Sequence, residues 1–330
     1  MNLGLNIVIA TGIANKASDI HLNNGLISYR INGSITNKLF PGQYSNKELE
    51  GFLENLLGAR EKEILEAKGD VDLSYKHSSG VNCRVNVFKD NSGISIAFRI
   101  INSQIPTTKD LHIPYVIDRL TENEHGIILV CGPTGAGKST TIASLINQLN
   151  INRAKHIITI EDPIEYIFPK AASIVSQREI GHSCESFHQG LKASLRQDPD
   201  VIFVGELRDK ETIETALSAA ETGHLVFSTL HAGNSAEAID RLTHYFPGEQ
   251  QEQIRHQITL SFLGIITQKL CQAKHGGRVA AFEILLNTPA TSHIIRNNEL
   301  NTLKNYMHPA HGMVTMDEAI KELQKRNIIL

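Results

Sequence analysis

Two rhythms of apolar and polar positions divide the chain. An apolar-rich run, LGLNIVIATGIA, opens it as a helix, and ISYRINGSI then alternates about Asn32-Gly33, a pair that supplies the positive φ angles of a type I′ hairpin turn. Residues 46 to 68 form a charged helical region, with Leu49, Phe52, Leu53, Leu56 and Leu57 at helical spacing. DVDLSYKH, VNCRVNVFK and ISIAFRII alternate as three strands, separated by SSG and DNSG turns. This predicts a small α+β domain over residues 1–103, followed by a linker at 104–111. From residue 112 onward the rhythm is different. Continuous apolar runs, IILVC, HIITIE, VIFVGE and LVFSTL, alternate with helical stretches, which predicts an α/β domain over 112–330 with a parallel sheet covered on both faces. The last 65 or so residues read as mostly helical, and Thr315-x-x-Glu318 predicts a capping box for the final helix.

Composition narrows the class of protein. The 330 residues suffice for two or three domains, and a hydrophobic share of 41% excludes a disordered chain. Net charge is -3, so no global basic field points to nucleic acid, and no basic-aromatic tract supports a strand-binding surface. Cys83, Cys131, Cys184 and Cys271 lie too far apart to form a zinc cluster, and they suit a reducing compartment. The opening apolar run is too short to span a bilayer and lacks the preceding Lys or Arg of a signal peptide. A cytoplasmic protein without structural zinc is expected, with peripheral membrane docking left open.

The sharpest motif is GPTGAGKS. Gly132, Pro133, Thr134, Gly135, Ala136, Gly137, Lys138, Ser139 and the following Thr140 stand between an apolar strand and a good helix, the setting of a P-loop. Glycines let backbone N–H groups turn toward phosphate oxygens, the helix start favours negative charge, Lys138 adds a point charge, and Ser139 is placed to ligate Mg²⁺. By average residue frequencies the pattern arises by chance in on the order of one chain in a hundred, so a mere glycine-rich turn is the lesser reading. ATP and Mg²⁺ are the expected ligands. Hydrolysis also needs carboxylates, and two strand ends, TIEDPIE and VIFVGELRD, offer them. A salt bridge or helix cap is the plainer use for such acids, as for Glu206 beside Arg208 or Asp162 beside Pro163. A third strand, LVFSTL, ends just before His231, which is placed to sense a γ-phosphate; His224 is the other candidate histidine nearby.

Taken together, GPTGAGKST, TIEDPIEY, LKASLRQDPDVIFVGELRD and TGHLVFSTLHAGNSAEAIDRL resemble the Walker A, Asp box, Walker B and His box of the secretion ATPase superfamily, in order. The chain looks most like the PilT-like branch, the type IV pilus retraction ATPases, and SDIHLNNGLISYRINGSI with VNCRVNVFKDNSGISIAFRII extends the likeness to that family's N-terminal domain. The resemblance implies a RecA-like P-loop NTPase domain with a smaller, PAS-like N-terminal α+β domain. It further implies a homohexameric motor that hydrolyses ATP to retract pili, with an inner-membrane pilus platform protein as partner. Lys138 and Ser139 fall on its phosphate and magnesium positions, Glu165 on the general base with Glu161 in reserve, Glu206 on the Walker B acid, and His224 and His231 on the His box. A compact N-terminus and the lack of a tetracysteine element favour retraction over assembly. The retraction signature AIRNLIRE has a counterpart in ATSHIIRN, which keeps Ala290, Ile295 and Arg296 with Ile294 in place of Leu and loses the first Arg and the final Glu; GMVTMDEAI matches better.

The stretch CRVNVFKDNSGISIAFR holds Arg84 and Arg99 on either side of a turn. With a two- or four-residue loop they face each other across the ladder, and like charges directly opposite cost roughly a few tenths to 1 kcal/mol unless an anion intervenes. A solvated pair is the plain reading; the resemblance implies arginine fingers reaching a triphosphate at a subunit interface. Competing readings are a related assembly or type IV secretion ATPase, a RecA-like nucleic-acid-binding protein switched by ATP, and an inactive ATP-binding scaffold.

Overall fold

The computed structural model describes residues 4–31, 33–40, 43–101 and 104–329, and the chain divides into two units, Met1–Gln104 and Ile105–Leu330. In the first, alternation becomes an antiparallel sheet. Its elements are α1 (Leu5–Ala14), β1 (Asp19–Asn23), β2 (Leu26–Ile31), β3 (Ser34–Thr36), α2 (Asn46–Leu56), α3 (Ala59–Lys68), β4 (Asp70–Lys76), β5 (Asn82–Asp90) and β6 (Gly93–Ile100). The strand order is β3-β2-β1-β6-β5-β4. One face buries Ile20, Leu22, Ile27, Tyr29, Val85, Val87, Ile96 and Phe98 with Val8 and Ile9 of α1, Phe52 of α2 and Leu65 of α3. The strand period of two then puts Asp19, Arg30, Arg84 and Arg99 on the opposite face. Central strand β1 has no counterpart among the strands read from alternation, because five residues between a helix and a turn leave too short a pattern. Asn32 of the expected turn lies outside the described residues; Gly33 has φ +84°, and Ile31 pairs with Ser34.

The charged helical region is two helices rather than one. Leu56 and Leu57 are both buried, and adjacent residues on a helix diverge by about 100°, so the chain brings both inward by passing through an extended Leu57 before restarting at Gly58.

The second unit contains α4 (Tyr115–Leu120), β7 (Gly126–Cys131), α5 (Lys138–Asn152), β8 (His156–Glu161), β9 (Ile174–Glu179), α6 (Phe187–Ser194), β10 (Val201–Val204), α7 (Lys210–Glu221), β11 (Leu225–Leu230), α8 (Ser235–His244), α9 (Gly248–Ser261), β12 (Phe262–Gln272), β13 (Arg278–Leu286), α10 (Pro289–Arg296) and α11 (Met316–Lys325). Its sheet runs β13-β12-β7-β11-β10-β8-β9, parallel except for β13. Ile127 and Leu129 of β7 face α7, α8 and α9, while Ile128 and Val130 face α4 and α5, which is why the strand is apolar throughout. This is a RecA-like P-loop core. Thr315 and Glu318 form the expected capping box. Among the described residues no helix is long and apolar enough to cross a membrane.

The mostly helical C-terminal reading is wrong for residues 262–286. These form the long β12–β13 hairpin, whose inner residues Ile265, Ile266, Ala281, Ile284 and Leu285 are buried. A run buried on both faces carries no period, so pattern alone does not separate such a strand from a helix. Within the hairpin, Glu283 is 2% exposed and its carboxylate bridges two helix starts: Oε1 accepts from Ser235 N at 2.7 Å, and Oε2 from Met316 N at 3.3 Å.

Candidate active site

The P-loop leaves β7 and enters α5 through three left-handed glycines, Gly132 (φ +148°), Gly135 (φ +77°) and Gly137 (φ +88°). Two are also forced by space, both because of Gln268 on β12. A Cβ on Gly132 would stand 2.5 Å from the Gln268 carbonyl oxygen, and one on Gly137 would stand 2.9 Å from its Nε2. Gln268 is 3% exposed and its amide is used twice: Oε1 accepts from Thr141 Oγ1 at 2.8 Å, and Nε2 donates to Ala136 O at 2.7 Å. A side chain from a strand more than a hundred residues downstream thus ties the loop to its helix. The Lys138 ammonium donates to Gly132 O at 2.9 Å and Pro133 O at 3.1 Å, which curls the loop around it. Burial lowers the Lys138 pKa, opposed by the charges of Glu206 and Glu165. No side chain caps α5, whereas Asp209 caps α7 and Asn234 caps α8.

Parallel strands bring the acids to the same edge. Lys138, Ser139, Glu161, Glu165, Glu206 and His231 line one cleft of about 370 Å³; Glu165 also borders a neighbouring cleft of about 770 Å³ reaching Leu270 and Arg278. In the ELRD stretch the acids divide. Asp209 is spent on the α7 cap, accepting from Thr212 N at 2.7 Å, while Glu206 faces the cleft. Glu206 does form the salt bridge that is the plain use for it: Arg208 Nε donates to Oε2 at 2.8 Å, with Arg208 also 3.9 Å from Asp162. His231 Nε2 lies 3.7 Å from Glu206 Oε1. Glu161 is buried, with Thr159 Oγ1 donating to Oε1 at 2.6 Å and Gln177 Nε2 at 3.1 Å. Burial pushes its carboxyl up to about 7, partly offset by these bonds.

Not every candidate is gathered here. His224 precedes β11 and bonds Ala219 O at 3.0 Å, whereas His231 follows it; at about 3.3 Å per residue, the six-residue strand Leu225–Leu230 holds them roughly 20 Å apart, at opposite sheet edges. Arg84 and Arg99 belong to the first unit. They pair directly opposite across β5 and β6, and the loop is the two-residue one, since Asp90 pairs with Gly93. No acid stands between them; acids flank the pair from the outer neighbouring strands instead: Arg99 Nε meets Asp19 Oδ1 on β1 at 3.0 Å, and Arg84 lies 3.5 Å from Asp72 Oδ2 on β4. Gln268 and Gln177 are absent from the residues singled out by motif. An amide inside the apolar run GIITQKL is a usable signal for the first; SIVSQREI offers none for the second.

Fold and site together define a P-loop ATPase. The chain belongs to the Type II/IV secretion system protein family, whose family model matches residues 3–329. It is 37% identical over 325 residues to the type IV pilus retraction ATPase PilT of Pseudomonas aeruginosa, covering 98% of this chain and 94% of that one. The uncharacterised protein YggR of Escherichia coli strain K12 is 38% identical over 315 residues, covering 94% of this chain and 95% of that one. A crystal structure of the pilus retraction motor PilT with bound ADP superposes with a TM-score of 0.93 at 42% identity, covering 99% of this chain and 95% of that one.

Proposed function

We propose that the protein is a homohexameric ATPase that powers type IV pilus retraction, bound peripherally to an inner-membrane platform protein on the cytoplasmic side. The observation that carries the reading is the convergence of Lys138, Glu165, Glu206 and His231 on one cleft, in a chain similar along nearly its whole length to a retraction motor. The residues fit a magnesium-bound nucleotide: a curled glycine loop around a cationic side chain, a helix start without a side-chain cap, and a hydroxyl and carboxylates beside it. Magnesium, when bound, would neutralise phosphate charge, with Ser139 as its protein ligand. Lys138 and the loop from Gly132 to Thr140 hold the phosphates. Glu165 takes the proton of the attacking water, Glu161 being the reserve; Glu206 orders the metal's water shell, and His231 beside it reads the γ-phosphate. His224 belongs to the same box in sequence, but its place at the far sheet edge gives it no contact with this cleft. Arg84 and Arg99 act in trans, on ATP held by a neighbouring subunit. Domain limits of 1–103 and 112–330 with a linker between them suit this division of labour. The test is a deletion strain: excess pili that no longer retract support the proposal, and a strain without pili points instead to an assembly motor.

A further inference from the structure

Between the end of β8 and the start of β9, residues 162–170 form neither helix nor strand, yet this loop carries Glu165. Backbone groups in such a loop need partners, and here side chains of β9 supply them. Gln177 Nε2 donates to Tyr166 O at 2.8 Å and to Glu161 Oε1 at 3.1 Å, and its Oε1 accepts from Phe168 N at 3.1 Å. Glu179, on the same face of β9, accepts from Ile164 N at 3.1 Å. The bonded positions 161, 164, 166 and 168 bracket Glu165 on both sides. A further tie joins the loop to the phosphate-binding helix, where Tyr166 and Thr140 share a hydroxyl hydrogen bond of 2.9 Å. Gln177 itself lines neither cleft.

We propose that Gln177 is the positioning residue for Glu165: one amide, donating to the residue after the acid and to the end of β8 and accepting from the loop's far side, fixes where the Glu165 carboxylate stands. The inference rests on the reading of Glu165 as general base. The task requires a donor and an acceptor on one planar group, which Glu supplies only as acceptor and Leu not at all. Gln177 works by pre-organisation, and a catalytic group displaced by about 1 Å loses on the order of 10²-fold in rate.

The experiment measures ATP turnover, ATP affinity by calorimetry and Tm on the full chain, in Gln177→Leu, Gln177→Glu, Glu165→Gln and the Gln177→Leu/Glu165→Gln double variant. Gln177→Leu is expected to lower kcat by about 10- to 100-fold with ATP affinity within about twofold, because the phosphate loop is held by β7, α5 and Gln268 instead. Gln177→Glu keeps the side-chain length and the acceptor for Phe168 N but sets an oxygen against Tyr166 O and the Glu161 carboxylate; it is the second variant if the Leu variant does not fold, and is expected to lower kcat at least as far, with some loss of Tm. In the double variant the Gln177 change should add nothing to the loss already caused by Glu165→Gln. A Gln177 variant that folds and turns over at the parental rate overturns the proposal. So does a loss of equal size in the Glu165→Gln background, or one matched by lost ATP affinity. Parental turnover in Glu165→Gln alone sinks the base reading, and the proposal with it, whereas a crippled Glu165→Gln beside a fully active Gln177→Leu sinks only the positioning role.

Discussion

Glu161 and Glu165 sit four positions apart at one strand end and live in different media: the first is buried, the second exposed. Burial has a sign that can be checked. The folded-state pKa of Glu161, about 7, lies above its ordinary value of 4.5, so the folded protein binds the extra proton between those limits and its stability falls as pH rises through them. Glu161→Gln, which removes the charge, should therefore raise Tm relative to the parent at pH 8, with the advantage gone near pH 4.5; a constant difference across the range would contradict the assignment. Lys138 and Glu206 should separate binding from chemistry. Lys138→Ala is expected to abolish nucleotide binding, whereas Glu206→Ala should bind ATP and lose hydrolysis, as read by calorimetry and phosphate release. Glycines in the loop divide likewise. Gly132→Ala meets both a left-handed backbone and the Gln268 carbonyl, and should cost about 2 kcal/mol or more in urea denaturation, while Gly135→Ala, with open space around it, should cost only the conformational part, about 1 kcal/mol.

At the scale of elements, the β12 strand does more than extend the sheet. Its pairing with β7 ends at Thr267, and the next residue, Gln268, braces the phosphate loop. Gln268→Leu should lower stability by about 1–3 kcal/mol by stranding a buried partner, and should weaken ATP binding as the loop slackens, both measurable in one titration series. An amide inside an apolar run signals Gln268, but its reach to the phosphate loop is hidden, as the hairpin is: the adjoining halves of β12 and β13 are buried on both faces and lack period, so a helical reading competes. The P-loop, the acidic strand ends and His231 were legible because each depends on local order, a strand followed at once by a motif. Gln177 and Gln268 act on residues 11 and 132 positions away, as counted from Tyr166 and Ala136, and chain proximity carries no trace of that. The facing of Arg84 and Arg99 was readable, since a hairpin register is arithmetic; their acids on β1 and β4 depend on sheet order, which is not.

At the scale of the whole molecule, the trans role of Arg84 and Arg99 has a direct test. Subunits carrying Lys138→Ala are mixed with subunits carrying Arg84→Ala and Arg99→Ala, each inactive alone, under conditions of ring exchange. About a quarter of the interfaces should then join an intact P-loop to intact arginines, and activity should return in part. Verified mixed rings that stay at baseline, while wild-type doping shows partial rings to be competent, would rule out the trans role. The ion pairs on that sheet face set the terms of such an encounter. Arg99 is held by Asp19, whose half-buried carboxylate also meets Ser18 and Arg30, and Arg84 by Asp72 in an exposed pair of a kind worth about 1 kcal/mol or less. In the proposed trans role a triphosphate would have to displace both aspartates to reach the guanidiniums, so a singly charged anion should compete with it poorly, and the acids would act as a filter on the company the arginines keep.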